Sequence, residues 1–250
     1  MKVDDLSSPY HKEEIEGIRK AIDKSGRAIV FSTSPGATPV AEGAHVSQHA
    51  NMWRIRDDFW DDWKPLLEQF SLLNDWTPYR GPGHFPDADM LPMGAIRQVG
   101  SRPNRPNHTR FTKNEQITMM TLWAIARSPL IMGGDLTKLD DFTSSLLTNA
   151  EVIDVDQNSS GNRQLFKQDG LIAWIADVPH SNDKYLALFN TNNAPAPVSV
   201  ELKDAGFSGP VKIRDLWAKK EAAGATDGRF APELPSHGAG LYKVSAVFSH

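Results

Sequence analysis

Residues 51–63 read NMWRIRDDFWDDW. With Ala50, the first half is a short apolar segment, ANMWRI (50–55), of the length and composition of a strand. It runs into two carboxylates, Asp57 and Asp58, and then into a helix signal. Asp61 and Asp62 suit a helix start. Phe59, Trp63, Leu66, Leu67, Phe70 and Leu73 recur as one apolar stripe. A strand that ends in acids and turns into an amphipathic helix is one βα unit. The fold is decided by whether the neighbouring segments repeat it.

They do. Upstream, RAIVFST (27–33) reads as a short buried strand. Before it, Ile15, Ile18 and Ile22 fall at helical spacing, opened by Ser8-Pro9 as N-cap and first-turn proline and closed by Gly26. MKVDD (1–5) alternates, with Met1 and Val3 on one side and Lys2 and Asp4 on the other. SPGATPVAEGAHVSQHA (34–50) reads as a long Gly/Pro/Ala-rich loop, and long loops inside compact domains often carry function. Downstream, RGPGHFPDADMLPMGAI (80–96) is a second long loop leading into an apolar strand at 89–96. VGSRPNRPNHTRF (99–111) reads as a surface excursion. Thr112 and Glu115 form a capping box for the helix TKNEQITMMTLWAIARS. PLIMGGD (129–135) reads as a strand and LTKLDDFTSSLLTN (136–149) as helical. Strands alternating with helices indicate a parallel α/β sheet.

The texture changes near Gln157–Asn162. LFKQ, LIAWIADV, YLALFN, PVSVEL, PVKIRDLW and GLYKVSAV are short strands separated by DG, NTNN, GFSG, TDGR and SHGAG turns. They predict an antiparallel β-sandwich over 163–250, after an α/β portion over 1–157. Net charge is −4 with both signs interspersed, and no basic stripe indicates nucleic acid. The absence of cysteine excludes disulfides and thiolate chemistry. No apolar run approaches the roughly 18 residues of a membrane helix. Most of the seven Trp and eleven Phe, Trp174 and Trp217 included, are read as core rather than as sugar-stacking platforms.

In a parallel α/β barrel, reactive groups sit at the carboxyl ends of strands. Asp4-Asp5, Asp57-Asp58 and Asp87/Asp89 all fall at such places, and Lys2 puts a cation beside Asp4. Glycosidic hydrolysis needs two carboxyl groups flanking one bond. Spacing does not choose between Asp57 and Asp58, since acids there also cap the following helix. His45, His49, His84 and His108 lie in segments read as loops without HxH or HExxH spacing, so no metal site is expected and no cofactor is implied. The Gly133-Gly134 pair lacks the rest of a phosphate-binding motif.

The order of KVDD, SGRAIVFS, NMWRIRDDFWDDW, GPGHFPDADML, EQITMMTLWAIARSPLIMGGDL and LLTNAEVIDVDQ resembles the glycoside hydrolase family 27 α-galactosidases (melibiases), from Lys2 to about Gln157. The later β domain is similar to that family's C-terminal sandwich. The resemblance implies a (β/α)8 TIM barrel acting as a retaining exo-glycosidase on terminal α-galactoside-like residues. It implies Asp4 as nucleophile with Lys2 at the sugar, Asp58 as general acid/base, and Arg54, Asp89 and Met90 as sugar-binding residues. Where many members have Cys-Glu-Trp-Pro, this chain has Thr33-Ser34-Pro35-Gly36, so Ser34 replaces the glutamate that meets the sugar's 2-hydroxyl. Leu6 stands where many have Cys. A small residue at Ser34 is similar to the α-N-acetylgalactosaminidase branch and to bacterial members. Specificity therefore stays open among α-galactoside, α-N-acetylgalactosaminide, β-L-arabinopyranoside and isomaltodextran-like substrates. Only about strands 4–8 of a barrel are counted, so the chain is expected to be a fragment with little activity alone, or a non-catalytic carbohydrate-binding remnant. By the same resemblance the expected location is secreted or periplasmic. The partner expected is a carbohydrate, with no nucleic acid or membrane; the oligomeric state is left open.

Overall fold

Four short parallel strands organise the first part of the chain in this computed structural model, which describes residues 1–96, 108–222 and 228–247. They are β1 (Lys2–Val3), β2 (Ser32–Thr33), β3 (Met52–Arg54) and β4 (Phe85–Asp87). The helices α1 (Lys12–Ser25), α2 (Gly43–His49) and α3 (Trp63–Asp75) connect them in turn. The sheet order is β1-β2-β3-β4, so consecutive strands are also spatial neighbours. A sheet that advances one strand per βα unit is the path of a (β/α) barrel rather than of a doubly wound sheet.

The apolar spacing places the helices. Ile15 and Ile22 bury one side of α1, and Gly26 ends it in the left-handed region at φ 68. Leu66, Phe70 and Leu73 bury one side of α3, joined by Phe59. Several expectations need correction. Helix α1 begins at Lys12, not at Ser8-Pro9, because the backbone first turns so that the His11 N–H donates to the Leu6 carbonyl at 3.0 Å. The segment 27–33 is buried only from Phe31; Val30 is 57% exposed. Residues 34–50 are not all loop, since α2 occupies Gly43–His49. Gly43 is a packing glycine rather than a loop signal: a Cβ there would lie within 2.3 Å of the Tyr79 ring. The fourth strand is 85–87 rather than 89–96. The segment 129–135 makes a single parallel bridge, Leu91 to Met132. Leu91 supplies both bonds of that bridge, its N–H donating to the Ile131 carbonyl at 2.8 Å and its carbonyl accepting the Gly133 N–H at 2.9 Å.

This first unit comprises Met1–Pro92 with Ser128–Gly133. The second comprises Met93–Arg127 with Gly134–His250, within the described residues. It holds α4 (Lys113–Ala126), α5 (Asp141–Leu147) and α6 (Ala150–Asn158), followed by ten strands. These are β5 (Ser160–Gln168), β6 (Leu171–Asp177), β7 (Lys184–Asn190), β8 (Ala196–Pro197), β9 (Val200–Glu201), β10 (Val211–Asp215), β11 (Lys220–Glu221), β12 (Arg229–Phe230), β13 (Glu233–Leu234) and β14 (Gly238–Ala246). A six-stranded antiparallel sheet runs β11-β10-β14-β7-β6-β5. The short ladders β12-β9 and β13-β8 contribute Val200, Phe230 and Leu234, and the link between β8 and β9 contributes Val198, to a core shared with Ile175, Leu186, Leu188 and Val244 of the large sheet. Trp174 is fully buried, as read; Trp217 is half-buried and its Nε1 donates to the Thr121 hydroxyl at 2.9 Å. Residues 97–107, the core of the expected surface excursion, lie outside the described residues. Ala95 and His108 on either side of them pair in an antiparallel bridge.

Helix α4 carries the capping box read from the sequence. Glu115 N–H donates to Thr112 Oγ1 at 3.3 Å, and Thr112 N–H donates to Glu115 Oε2 at 2.8 Å. Its C-terminal neighbour Arg127 sits at φ 52 and aims its guanidinium at the end of α6. It donates to the carbonyls of Asp156 (2.8 Å), Ser159 (2.9 Å) and Gln157 (3.0 Å). Those are carbonyls a helix end leaves unpaired, and the cation also opposes the negative end of the helix dipole. Arg127→Ala is expected to lower the unfolding free energy by about 2 kcal/mol, read by urea denaturation. An unchanged midpoint would show that water satisfies these carbonyls equally well.

Candidate active site

Strand register lines up the polar residues. Lys2 pairs with Ser32, Ser32 with Met52, and Met52 with Phe85. Two residues on, Arg54 pairs with Asp87. The Ser34 N–H donates to the Val3 carbonyl at 2.9 Å, which carries the β1–β2 register past the strand ends. Because side chains alternate along a strand, Asp4, Ser34, Arg54 and Asp87 form one row on one face, at the carboxyl ends of four neighbouring strands. Thr33 and Trp53 lie on the opposite face and are fully buried.

Arg54 anchors the row. It is buried, and its Nη2 lies 2.7 Å from Asp89 Oδ2 and 3.5 Å from Asp58 Oδ1. Asp89 also accepts the Phe59 N–H at 2.7 Å, so one carboxylate ties the segment after β3 to the segment after β4. Asp89 itself sits at φ 80, and its N–H donates to Asp87 Oδ1 at 2.9 Å. Burial pushes Asp87 up to about 6, opposed by the Asp89 N–H and the Arg54 guanidinium. Burial likewise raises Asp89, against the Phe59 N–H and Arg54. Asp58 is exposed. Lys2 Nζ lies 2.9 Å from Asp4 Oδ1, both side chains exposed.

The residues read from the sequence thus fall into two contacting groups, Lys2 with Asp4 and Arg54 with Asp58 and Asp89. Ser34 lies between them in the row. Its hydroxyl and the Arg54 Nε are buried and find no hydrogen-bond partner among the described residues. Met90 is half-buried and packs over Gly133, where a Cβ would come within 2.5 Å of the Met90 sulfur.

Sequence reasoning passed over some of the lining. Asp5, Ser8, Pro35, Gly36, Asp57 and Asp58 line a depression of about 430 Å³. Asp57, which spacing left open as an alternative to Asp58 or as a helix-capping acid, lines this depression. Gly36, at φ 88, brings two loops together, since a Cβ there would sit 3.1 Å from Ser8 Cβ. Its Thr-Ser-Pro-Gly setting is the signal that could have marked it, because Pro-Gly pairs favour tight turns with positive φ.

The buried Asp87 gives the unit a pH signature. A carboxyl raised from 3.8 to about 6 favours the folded state fully below pH 4 and loses that advantage as pH rises through 6. Asp87→Asn keeps an oxygen for the Asp89 N–H and cannot ionise. Its stability relative to the parent protein is therefore expected to rise by up to about 3 kcal/mol between pH 4 and pH 7, measured by urea unfolding at each pH. Parallel stability profiles for the two proteins would contradict this.

Comparison with known proteins agrees with this geometry. Residues 2–158 match the family described as alpha galactosidase A, and residues 168–244 match the alpha galactosidase C-terminal beta sandwich domain. The crystal structure of a β-L-arabinopyranosidase of the same glycoside hydrolase family from Geobacillus stearothermophilus is 45% identical, with a TM-score of 0.93, covering 100% of this chain and 58% of that one. An α-galactosidase from Cyamopsis tetragonoloba is 29% identical over 239 residues, covering 94% of this chain and 54% of its own length. An α-N-acetylgalactosaminidase from Gallus gallus is 24% identical over 238 residues, covering 87% of this chain and 55% of its own. The chain spans about half the length of the curated relatives it matches. With a parallel βα sheet ending in a row of acids, an antiparallel sandwich behind it in sequence, and both segments matched in order, the chain belongs to the α-galactosidase family, glycoside hydrolase family 27.

Proposed function

We propose that this chain carries the catalytic pair of a retaining exo-glycosidase that removes terminal α-galactoside-like residues from oligo- or polysaccharides. Asp4 is the nucleophile and Asp58 the acid/base. Lys2, Ser34, Arg54, Asp89 and Met90 hold the sugar. The catalytic portion is residues 1–157 and the accompanying sandwich is residues 163–250, a division supported by the two matched spans, 2–158 and 168–244.

The observation that carries this reading is the row itself. Two carboxylates, each beside a cation, flank buried polar groups, the Ser34 hydroxyl and the Arg54 Nε, that lack protein partners among the described residues. Leaving such groups unpaired costs about 1–3 kcal/mol each, a cost that a ligand's hydroxyls remove. In the first step an Asp4 oxygen bonds to the anomeric carbon while the glycosidic C–O bond breaks and Asp58 gives its proton to the leaving oxygen. In the second, Asp58 takes a proton from water, whose oxygen attacks the anomeric carbon and releases Asp4. Two inversions leave the configuration retained.

A second specificity is favoured by a specific observation, the 45% identity to a β-L-arabinopyranosidase over the whole chain. β-L-Arabinopyranose has the ring configuration of α-D-galactopyranose without the hydroxymethyl group, so the same carboxylate pair serves either sugar. Ser34, read as facing the 2-position, bears on 2-hydroxyl against 2-acetamido substrates and not on this choice.

In the protein expressed from its complete gene, Asp4→Asn is expected to lower kcat/KM on a p-nitrophenyl glycoside at least about a thousandfold, and Asp58→Asn to lower kcat on it at least about a hundredfold by removing the base of the second step, neither lowering the thermal midpoint. NMR is expected to show the α-galactose-configured anomer as the first product. Near-normal turnover by either variant, or an inverted first product, overturns the assignment. Turnover of p-nitrophenyl β-L-arabinopyranoside well above the α-D-galactopyranoside establishes the second specificity. Galactose binding by calorimetry with no turnover of any glycoside establishes a binding remnant instead.

A further inference from the structure

The geometry points to a divalent transition-metal site, of the zinc class, held by Glu16 of α1 and by His45 and His49 of α2. The sequence HVSQH shows no metal spacing when its segment is read as a loop. On a helix, however, His45 and His49 stand one turn apart on the same face. Their rings stack with centroids 4.2 Å apart, and α1 delivers Glu16 to them, with its Oε1 3.3 Å from His45 Nε2. One ligand atom from each of the three residues lies within 4.8 Å of the others, and all three residues are half-buried.

A second observation supports a ligand here. Metal-bound imidazoles almost always have their other ring nitrogen held by an outer partner. Both histidines do. His49 Nδ1 donates to the His45 carbonyl at 2.8 Å; a carbonyl only accepts, so the proton is on Nδ1 and the Nε2 lone pair is presented. His45 Nδ1 lies 2.6 Å from the Tyr10 hydroxyl, which both donates and accepts. With the proton on Nδ1, shared with Tyr10, His45 Nε2 is also a ligand atom. Lys20 occupies the other Glu16 oxygen, Oε2, at 3.1 Å. Two imidazoles and one carboxylate select Zn²⁺, Co²⁺ or Ni²⁺ over Ca²⁺ or Mg²⁺, with water completing the coordination. The ion would clip together the two helices that follow the strands bearing Asp4 and Ser34.

The test is titration of the chelator-stripped protein with Co²⁺, followed by its visible d–d absorption, then displacement by Zn²⁺ and melting with and without Zn²⁺. Expected are one saturable equivalent of Co²⁺, displacement by Zn²⁺ and a higher thermal midpoint with Zn²⁺. His49→Gln, which keeps a donor for the His45 carbonyl, and Glu16→Gln are expected to weaken Co²⁺ binding at least about a hundredfold, and Tyr10→Phe about ten- to a hundredfold. His84→Ala is expected to leave it unchanged. No saturable binding, or equal binding by His49→Gln and Glu16→Gln, overturns the proposal. The second result would assign any bound ion to other surface histidines.

Discussion

The burial of one guanidinium organises the candidate site. Taking the Arg54 charge out of water costs several kcal/mol unless it is well paired, and Asp89 at 2.7 Å supplies the pairing. Asp89 can do so only by holding a left-handed backbone at φ 80, a strain of about 1–3 kcal/mol for a residue other than glycine. The Asp87 carboxyl holds that turn by accepting the Asp89 N–H, and Asp89 in turn accepts the N–H of Phe59. The placement of the exposed Asp58 is thus inherited. It lies one residue before a backbone group fixed by the counter-ion of a buried arginine. For the acid/base role proposed for Asp58 such support matters, since small errors of placement are costly in catalysis.

How much of this was legible follows from what each residue does locally. The βα alternation was readable because Ile15 and Ile22, and Leu66, Phe70 and Leu73, keep a helical period. Gly26 and the Thr112–Glu115 box announce their helix ends by local chemistry alone. Gly43 misled, because its role is to admit the Tyr79 ring, a tertiary fact with the same sequence signature as a loop. That one glycine hid α2, and with it the one-turn spacing of His45 and His49. The shift of the fourth strand from 89–96 to 85–87 has a similar origin. The apolar run Met90–Met93 looked like a strand, but among the described residues it makes one isolated bridge, at Leu91, and Asp89 turns the chain before it. Asp57 and Asp58 were indistinguishable by spacing. Only the resemblance chose Asp58, and only the fold shows both facing one depression.

The row of strand-end residues also has a width and a charge distribution that bear on the proposed function. Adjacent strands lie roughly 4.8 Å apart, so the three steps from Asp4 through Ser34 and Arg54 to Asp87 span about 14 Å across the sheet, wider than one pyranose ring. Its members are unlike in character. Lys2 and Asp4 at one end are exposed and pair with each other. Asp87 at the other end is buried deeply enough to raise its acidity range to about 6 and is committed to structure. Ser34 is the small member, and what it does not fill is as informative as its hydroxyl. A larger acidic side chain in that position would add a further negative charge to the row between Asp4 and Arg54. With serine, the row keeps its negative charge at its ends and near Arg54, and the middle is left to neutral hydroxyl chemistry.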